Sequence, residues 1–270
     1  MLTKREFKKH YFQVLNDIRK NIDIDMVTKK YLVKNNYDFH NFDMNQYLDN
    51  SFIRVYNIYK MLPETPCSIA DVGGFFGNFS LCFARLGYRV TLFESYEYYD
   101  NCFEGLVEYF KINNIEIRNV NFTKELGGDG YKGQFDCSLC LAFLEHLCES
   151  PKITIDNLKF VTKDNGYIFL EVPNIANIAN RLQLLSGKTI LPSIESIYRS
   201  NTPFMGHFHE YTGIELELLA RLSGLDVLKK LYCNYSYRNS LFRKLVFLPS
   251  YLIPSLREIV LIKTQKKDNE

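Results

Sequence analysis

The stretch Cys67–Ser80 reads CSIADVGGFFGNFS. A short apolar run reaches Asp71, then Gly73, Gly74 and Gly77 follow in quick succession, and Phe79, Leu81 and Phe83 open a helical pattern. This predicts a strand, a glycine turn and a helix start. Glycine admits positive φ and lets the backbone approach a bound molecule closely, because no Cβ stands in the way. The unpaired N–H groups at a helix start favour electron-rich ligand atoms. A purely structural bend needs the same glycines, so the neighbouring residues must decide between the two.

Glu94 closes the next apolar run, RVTLFE at 89–94. An acid at the tip of the second strand of a doubly wound sheet accepts the hydroxyls of a ribose. The glycines are spaced G-G-x-x-G, which does not satisfy the dinucleotide fingerprint G-x-G-x-x-G. Asp71, just ahead of them, would repel a pyrophosphate and suits a ligand that carries an ammonium group.

Outward from this stretch, the chain divides at about residue 62. Phe7, Tyr11, Leu15 and Ile18 recur at helical spacing, as do Tyr47, Ile53, Val55, Ile58 and Leu62 more loosely. Residues 1–62 therefore read as a helical N-terminal extension, with a polar and aromatic loop over Asn35–Asn45. A lid, a dimer contact and simple packing on the outer face all remain open for it. Residues 63–270 alternate strand and helix, the pattern of a parallel sheet covered on both faces. Strands are predicted at Cys67–Val72, Arg89–Glu94, Ile115–Val120, Phe135–Leu141, Tyr167–Val172, Leu225–Tyr232 and Arg257–Thr264. Helices are predicted at Gly77–Leu86, Glu97–Asn113, Ile153–Val161, Ile178–Leu185 and Gly213–Ser223, the last with Thr212 and Glu215 as a capping box. Asn165-Gly166 supplies the turn into the fifth strand and Pro173 ends it. Two insertions, 174–209 and 235–255, complete the layout, and loops as long as the first are usually functional.

Composition removes several classes of function. The 270 residues suit one α/β domain with elaborations, and 46% hydrophobic content builds its core. A net charge of +2 with mixed signs lacks the basic stripe of a nucleic-acid binder. The seven cysteines are scattered, mostly on apolar runs, and read as buried free thiols in a reducing, cytoplasmic setting. Cys137 and Cys140 form a C-x-x-C, but inside a strand and without a second pair, so zinc or redox use is not expected. The N-terminus is charged and reads as no signal peptide. No apolar run reaches the roughly 18 residues that a membrane span needs; Leu241–Ile262 is broken by Arg243, Lys244, Arg257 and two prolines.

In such a sheet the chemistry belongs at the carboxyl ends of the strands. The candidates there are Asp71, Gly73, Gly74 and Gly77, then Glu94 and Ser95, then Asn121 and Phe122, then Cys140, Leu141, Glu145 and His146. The GHFHEYT segment adds His207, His209 and Glu210. With Phe75 in place of its second glycine, ADVGGFFG resembles motif I of the class I S-adenosylmethionine (SAM) methyltransferases, acid-x-G-x-G-x-G. FDCSLCLAFLEHL, NGYIFLEVPN, HFHEYT and ELELLARLSGL resemble, in that order, the later motifs of the ubiquinone-biosynthesis-like branch. The likeness covers roughly residues 67–232. It implies a Rossmann-like α/β fold with a seven-stranded, mostly parallel sheet whose last strand is antiparallel. It also implies SAM as cofactor and S-adenosylhomocysteine as product, with Asp71 on the methionine ammonium and Glu94 on the ribose. Asn121 and Phe122 would then meet the adenine edge and face, and Cys140 and Leu141 would lie beside the cofactor.

The reaction so implied moves a methyl group to an oxygen, or less readily a nitrogen, of an acceptor. An acceptor hydroxyl benefits from a nearby base. His146, His207 and His209 converge with Glu145 and Glu210 where the fourth and fifth strand tips should meet. In one role a histidine is the base or positions the acceptor. In the other, Glu145, His146 and His207 hold a divalent metal, as in the E-x-x-E-H segment of small-RNA 2′-O-methyltransferases. Here Ala142 replaces the first glutamate of that segment, which weakens the metal role, so base or acceptor positioning is the favoured one and a divalent metal the alternative. NRLQLLSGK and GHFHEYT also resemble methyltransferases of bacterial capsule and surface-glycan biosynthesis. This suggests a small sugar, nucleotide-sugar or phosphoramidate acceptor, with Lys29, Arg181, Lys188 and Arg199 available to a phosphate. A cofactor-binding protein without turnover, and a nicotinamide oxidoreductase, are the competing readings.

Overall fold

The computed structural model describes residues 1–35, 43–95, 102–128, 130–199, 206–236, 245 and 247–267. Its centre is a seven-stranded sheet. In chain order the strands are β1 (Ser68–Val72), β2 (Arg89–Glu94), β3 (Glu116–Asn119), β4 (Phe135–Leu141), β5 (Thr162–Pro173), β6 (Leu225–Cys233) and β7 (Ile259–Lys266). They lie in the order β3-β2-β1-β4-β5-β7-β6. The first five are parallel, and β7 runs antiparallel to both β5 and β6. The expected fold class is therefore the observed one. The strand order reverses between β1 and β4, the position at which doubly wound sheets open a ligand crevice.

All five residues of β1 are buried, as a strand covered on both faces requires. The period of two along each strand divides the core. Ile69, Leu139, Phe169 and Leu261 face one side, where they join Phe7, Tyr11, Val55, Ile58, Phe83 and Phe110. Ala70, Cys140, Leu170 and Val260 face the other, packed with Ile155, Leu158, Leu216 and Ala220. The first face is roofed by α1 (Lys4–Asn21), α2 (Ile24–Asn35), α3 (Met44–Tyr59), α4 (Asn78–Ala84) and α5 (Glu104–Ile112). The second is covered by α6 (Lys152–Val161) and α9 (Gly213–Leu222), with α7 (Ile178–Leu185), α8 (Ile194–Arg199) and α10 (Leu248–Leu252) in the two insertions. The helices of residues 1–62 thus share one hydrophobic core with the sheet.

Local signals mostly land where the sequence puts them. Thr212 and Glu215 form the capping box of α9, and Thr3 with Glu6 forms another on α1. The Asn165-Gly166 turn lies within β5 rather than before it. Phe135 pairs with Thr162 and Cys137 with Tyr167, so residues 163–166 loop out of the ladder. Asn165 takes a left-handed φ of 59° at that bend. The expected helix start at Glu97 lies outside the described residues. All seven cysteines are free, Cys137 is buried with its Sγ 3.9 Å from that of Cys67, and Cys140 is fully buried. Among the described residues no helix is long and apolar enough to cross a membrane.

Candidate active site

The glycine turn between β1 and α4 is folded tightly over its own acids. Gly73 and Gly77 adopt φ of 66° and 67°, and the Gly73 N–H donates to the Phe93 carbonyl at 2.8 Å. A Cβ on Gly74 would lie 2.4 Å from Leu92 and 2.8 Å from the Asp71 carboxylate, and one on Gly73 would lie 2.2 Å from the Phe143 ring. Phe75, in the place of the family's second glycine, itself takes a left-handed φ of 49°. The turn therefore keeps its shape with a side chain in a conformation that non-glycine residues rarely adopt. Its N–H donates to Glu94 Oε2 at 2.9 Å, and the Ser95 N–H donates to Glu94 Oε1 at 2.9 Å. Asp71 lies beneath the turn, 1% exposed, with Oδ2 accepting the Ser80 hydroxyl at 2.6 Å.

Neither acid has a cationic partner among these contacts. Burial pushes the Asp71 carboxyl up to about 6 against the Ser80 hydrogen bond. It pushes Glu94 up to about 7, opposed by the two backbone N–H groups and reinforced by the charge of Asp71. Two buried carboxylates without a counter-charge favour a ligand that brings hydrogen-bond donors and disfavour one that brings phosphates. The residues present fit a ribose-bearing, amine-bearing cofactor. Asp71 does so from below the turn, as a support for it, while Glu94 holds lone pairs at the strand tip.

The tip of β4 carries the second half of the site. Ala142 turns left-handed at φ 52°, Phe143 closes over Gly73, and Leu144–His146 form a single 3-10 turn. Glu145 is 1% exposed, and among the described residues neither of its carboxylate oxygens has a hydrogen-bond partner. Its backbone carbonyl accepts the Phe208 N–H at 2.8 Å, which ties the GHFHEYT segment to this tip. His146 Nδ1 donates to the Gly206 carbonyl at 3.2 Å, since a carbonyl can only accept. His207 Nδ1 pairs with Glu210 Oε1 at 2.8 Å. The two imidazoles meet edge to face, 4.7 Å between centroids. One ligand atom each from Glu145, His146 and His207 lie within 4.8 Å of one another.

Burial raises the Glu145 carboxyl to about 7. His146 is exposed, which limits the desolvation that lowers its pKa, and the charge of the neighbouring His207 acts in the same direction as that desolvation. For His207, burial opposes the charged form, yet the Glu210 hydrogen bond and the field of Glu145 outweigh it and raise the pKa. His209 stands outside this trio, exposed, with its ring edge-on to Tyr211 at 4.6 Å.

Several other expected contacts sit in the interior. Phe122 is buried with its ring against Phe93, and its carbonyl accepts from Thr154 and Asn157. Asn121 Oδ1 accepts the Thr123 N–H and hydroxyl, in a local turn. Cys140 is in the core, and Leu141 is 8% exposed at the end of β4. Of the cations expected to meet a phosphate, Arg181 donates to the Ala176 carbonyl and Arg199 pairs with Glu195, while Lys29 and Lys188 are exposed.

Sequence reading missed the buried ion pair behind the site. Arg54 of α3 donates through Nε at 2.8 Å and Nη2 at 2.5 Å to Glu171 Oε1 on β5, with the residues 3% and 0% exposed. The guanidinium lies over the rings of Phe79, Tyr47 and Tyr235 at 5.3, 5.9 and 5.8 Å. A signal was present: FIRVY and IFLEVP each place one charge, of opposite sign, inside an otherwise apolar run.

No curated protein matches the sequence. A Methanosarcina mazei SAM-dependent methyltransferase superposes with a TM-score of 0.56 at 18% identity, covering 79% of this chain and 98% of that one. A Pyrococcus horikoshii protein gives 0.56 at 16% identity over 86% and 95%. The Burkholderia thailandensis 1,6-didemethyltoxoflavin-N1-methyltransferase, solved with S-adenosylhomocysteine, gives 0.50 at 13% identity over 99% and 92%. At these identities the likeness is one of fold. The methyltransferase domain family model, in contrast, matches residues 44–230, which include α3, the glycine turn, both acids and the whole Glu145–His207 cluster. Over more than half its length, then, this chain carries that family's sequence pattern on that fold, and it belongs to the methyltransferase domain family.

Proposed function

We propose that this methyltransferase binds SAM across the tips of β1 and β2 and methylates an oxygen of a small acceptor received at Glu145, His146 and His207. The observation that carries this reading is the pair of buried carboxylates without a counter-charge, Asp71 and Glu94, at the glycine turn. When bound, SAM supplies an electrophilic methyl carbon on a sulfonium. Glu94 receives the ribose hydroxyls, the Gly73–Gly77 backbone admits close approach, and Asp71 with Ser80 holds the turn from beneath. Asn121 and Leu141 border the cofactor, and Phe122 and Cys140 support them from the core.

On the acceptor side, Glu210 holds the His207 ring through Nδ1, and the Glu145–His146–His207 cluster is where an acceptor hydroxyl is positioned and loses its proton. Displacement at carbon needs acceptor, methyl and sulfur in line, so much of the rate comes from positioning. Phe75 adopts the left-handed turn that a glycine would, which favours a working cofactor site over a binding protein without turnover.

We read the acceptor as a sugar or nucleotide-linked sugar of surface-glycan biosynthesis, on the strength of NRLQLLSGK and GHFHEYT. Lys188, exposed after α7, is a cation available to a phosphate. The helices of residues 1–62 and the insertions 174–209 and 235–255 elaborate one cofactor-binding domain, with a dimer contact on the outer helices as the open possibility.

Calorimetry tests the cofactor half. S-adenosylhomocysteine should bind and NAD should not, and Glu94→Ala should abolish the binding. Incubation with methyl-labelled SAM and a nucleotide-sugar pool tests the other half, with label expected on a sugar oxygen. NAD binding without S-adenosylhomocysteine binding would overturn the assignment, and label on nitrogen or carbon would overturn the acceptor class.

A further inference from the structure

We propose that Glu145, His146 and His207 form a binding site for one divalent first-row transition-metal ion, whose open positions take the oxygen of the acceptor. The proposal rests on the acceptor-side reading above and gives that cluster its mode of action.

Three observations lead to it independently of the cofactor. Among the described residues, three buried side-chain polar atoms lack a hydrogen-bond partner, and two of them are the carboxylate oxygens of Glu145. An unpaired buried carboxylate is costly. A cation seated on it removes that cost. The ring nitrogens give the second observation. Each imidazole already spends Nδ1 as a donor, His146 to the Gly206 carbonyl and His207 to Glu210. In their neutral forms both therefore keep the Nε2 lone pair for another partner. A carbonyl or carboxylate behind the far nitrogen is the usual outer support of a metal-bound histidine, fixing its tautomer and raising its basicity. The third observation is spacing. The three ligand atoms fall within 4.8 Å of one another. A bound ion at about 2.0–2.2 Å from each would draw them to roughly 3–3.5 Å apart. Small side-chain adjustments cover the difference, since His146 is exposed.

The donor set selects the ion. Two imidazoles and one carboxylate suit zinc, manganese, iron or cobalt, whereas magnesium and calcium prefer oxygen alone. Three protein ligands also leave positions open, which is the pattern of a catalytic ion and not of a structural one. An acceptor hydroxyl in an open position becomes more acidic. The charges of His207 and, more weakly, Arg54 reach Glu145, and so does that of Glu171, whose Oε2 has no partner among the described residues, so the surroundings supply negative as well as positive charge.

The test uses the untagged full chain, stripped with a chelator and titrated with cobalt(II). Visible absorption reads the ligand field, and calorimetry with S-adenosylhomocysteine is run in parallel. The wild type should show saturable ligand-field bands that zinc displaces. Glu145→Gln should lose them while still binding S-adenosylhomocysteine, which shows that it is folded. Glu210→Gln, which removes only the support behind His207, should weaken cobalt binding by about 10–100-fold. Absence of bands in a wild type that binds S-adenosylhomocysteine would overturn the metal site, as would equal cobalt affinity in wild type and Glu145→Gln. Loss of S-adenosylhomocysteine binding with the bands intact would instead overturn the cofactor reading and leave the metal site standing.

Discussion

Replacing Arg54 with Met is the sharpest test of how this site is built. The substitution keeps an apolar stem among Phe79, Tyr47 and Tyr235 and removes the guanidinium that faces them. Glu171, 0% exposed, then loses both hydrogen bonds to Oε1, and among the described residues its Oε2 has no partner to begin with. Breaking a buried pair by removing one partner costs about 3–5 kcal/mol, because the remaining charge is left uncompensated. Met recovers some packing but no electrostatics. In a protein of this size the loss corresponds to a melting shift of roughly 6–20 °C, at about 2–4 °C per kcal/mol. The double variant Arg54→Met/Glu171→Gln removes the charge as well and should recover most of the loss, to within about 1 kcal/mol of wild type. Urea denaturation of wild type, both single variants and the double closes the cycle. The reasoning fails if Arg54→Met lies within about 1 kcal/mol of wild type, or if the double variant merely adds the two single losses.

Gly77→Ala should lose about 2–4 kcal/mol in the same assay, because its φ is +67° and its Cβ would lie 2.4 Å from Phe110. Gly128→Ala, at φ +79° with nothing within 4 Å, should lose only the strain of about 1–2 kcal/mol. A pH effect follows from the three raised carboxyls, Asp71 at about 6 and Glu94 and Glu145 at about 7, against ordinary values of 3.8 and 4.5. Between those limits the folded chain holds protons that the unfolded chain has released, so ligand-free stability is present at the acid end and falls as pH rises through 6–7. Melting curves from pH 5 to pH 8 should show that fall and a growing increment from S-adenosylhomocysteine, and Glu94→Gln should reduce both. His207→Ala should leave S-adenosylhomocysteine affinity unchanged in calorimetry and lower turnover by about 100- to 10,000-fold.

Much of this molecule is legible in the sequence because local and global signals agree. Cys67–Ser80 combines an apolar run, an acid and glycines at positions where side chains would collide with Leu92, Phe110 and Phe143. The Thr212–Glu215 box and the apolar strand runs are equally local. The parts that stayed hidden depend on which side of a residue faces inward. Phe122 reads from the sequence as a contact to an adenine face, and only the fold sets its ring against Phe93. Asp71 reads as a ligand contact, and only the fold puts Ser80 within 2.6 Å and the turn above it. His209 is indistinguishable from His207 by position, yet the three-residue step to Glu210 orients one ring and leaves the other against Tyr211. Arg54 and Glu171 are 117 residues apart, beyond the reach of any periodicity argument.

The roof that α1 and α3 form over Ile69, Leu92 and Leu139 bears on how this protein can be dissected. A fragment cut at residue 63 would bare the strand face that Phe7, Tyr11, Val55 and Ile58 now dry, and such surface seeks other chains. The family model's match to this chain begins at residue 44, the first residue of α3, and so spans Arg54 but not α1. Transplanting the opening helix from a relative therefore means matching its aromatic ridge to this sheet, as one would match two halves of a single core.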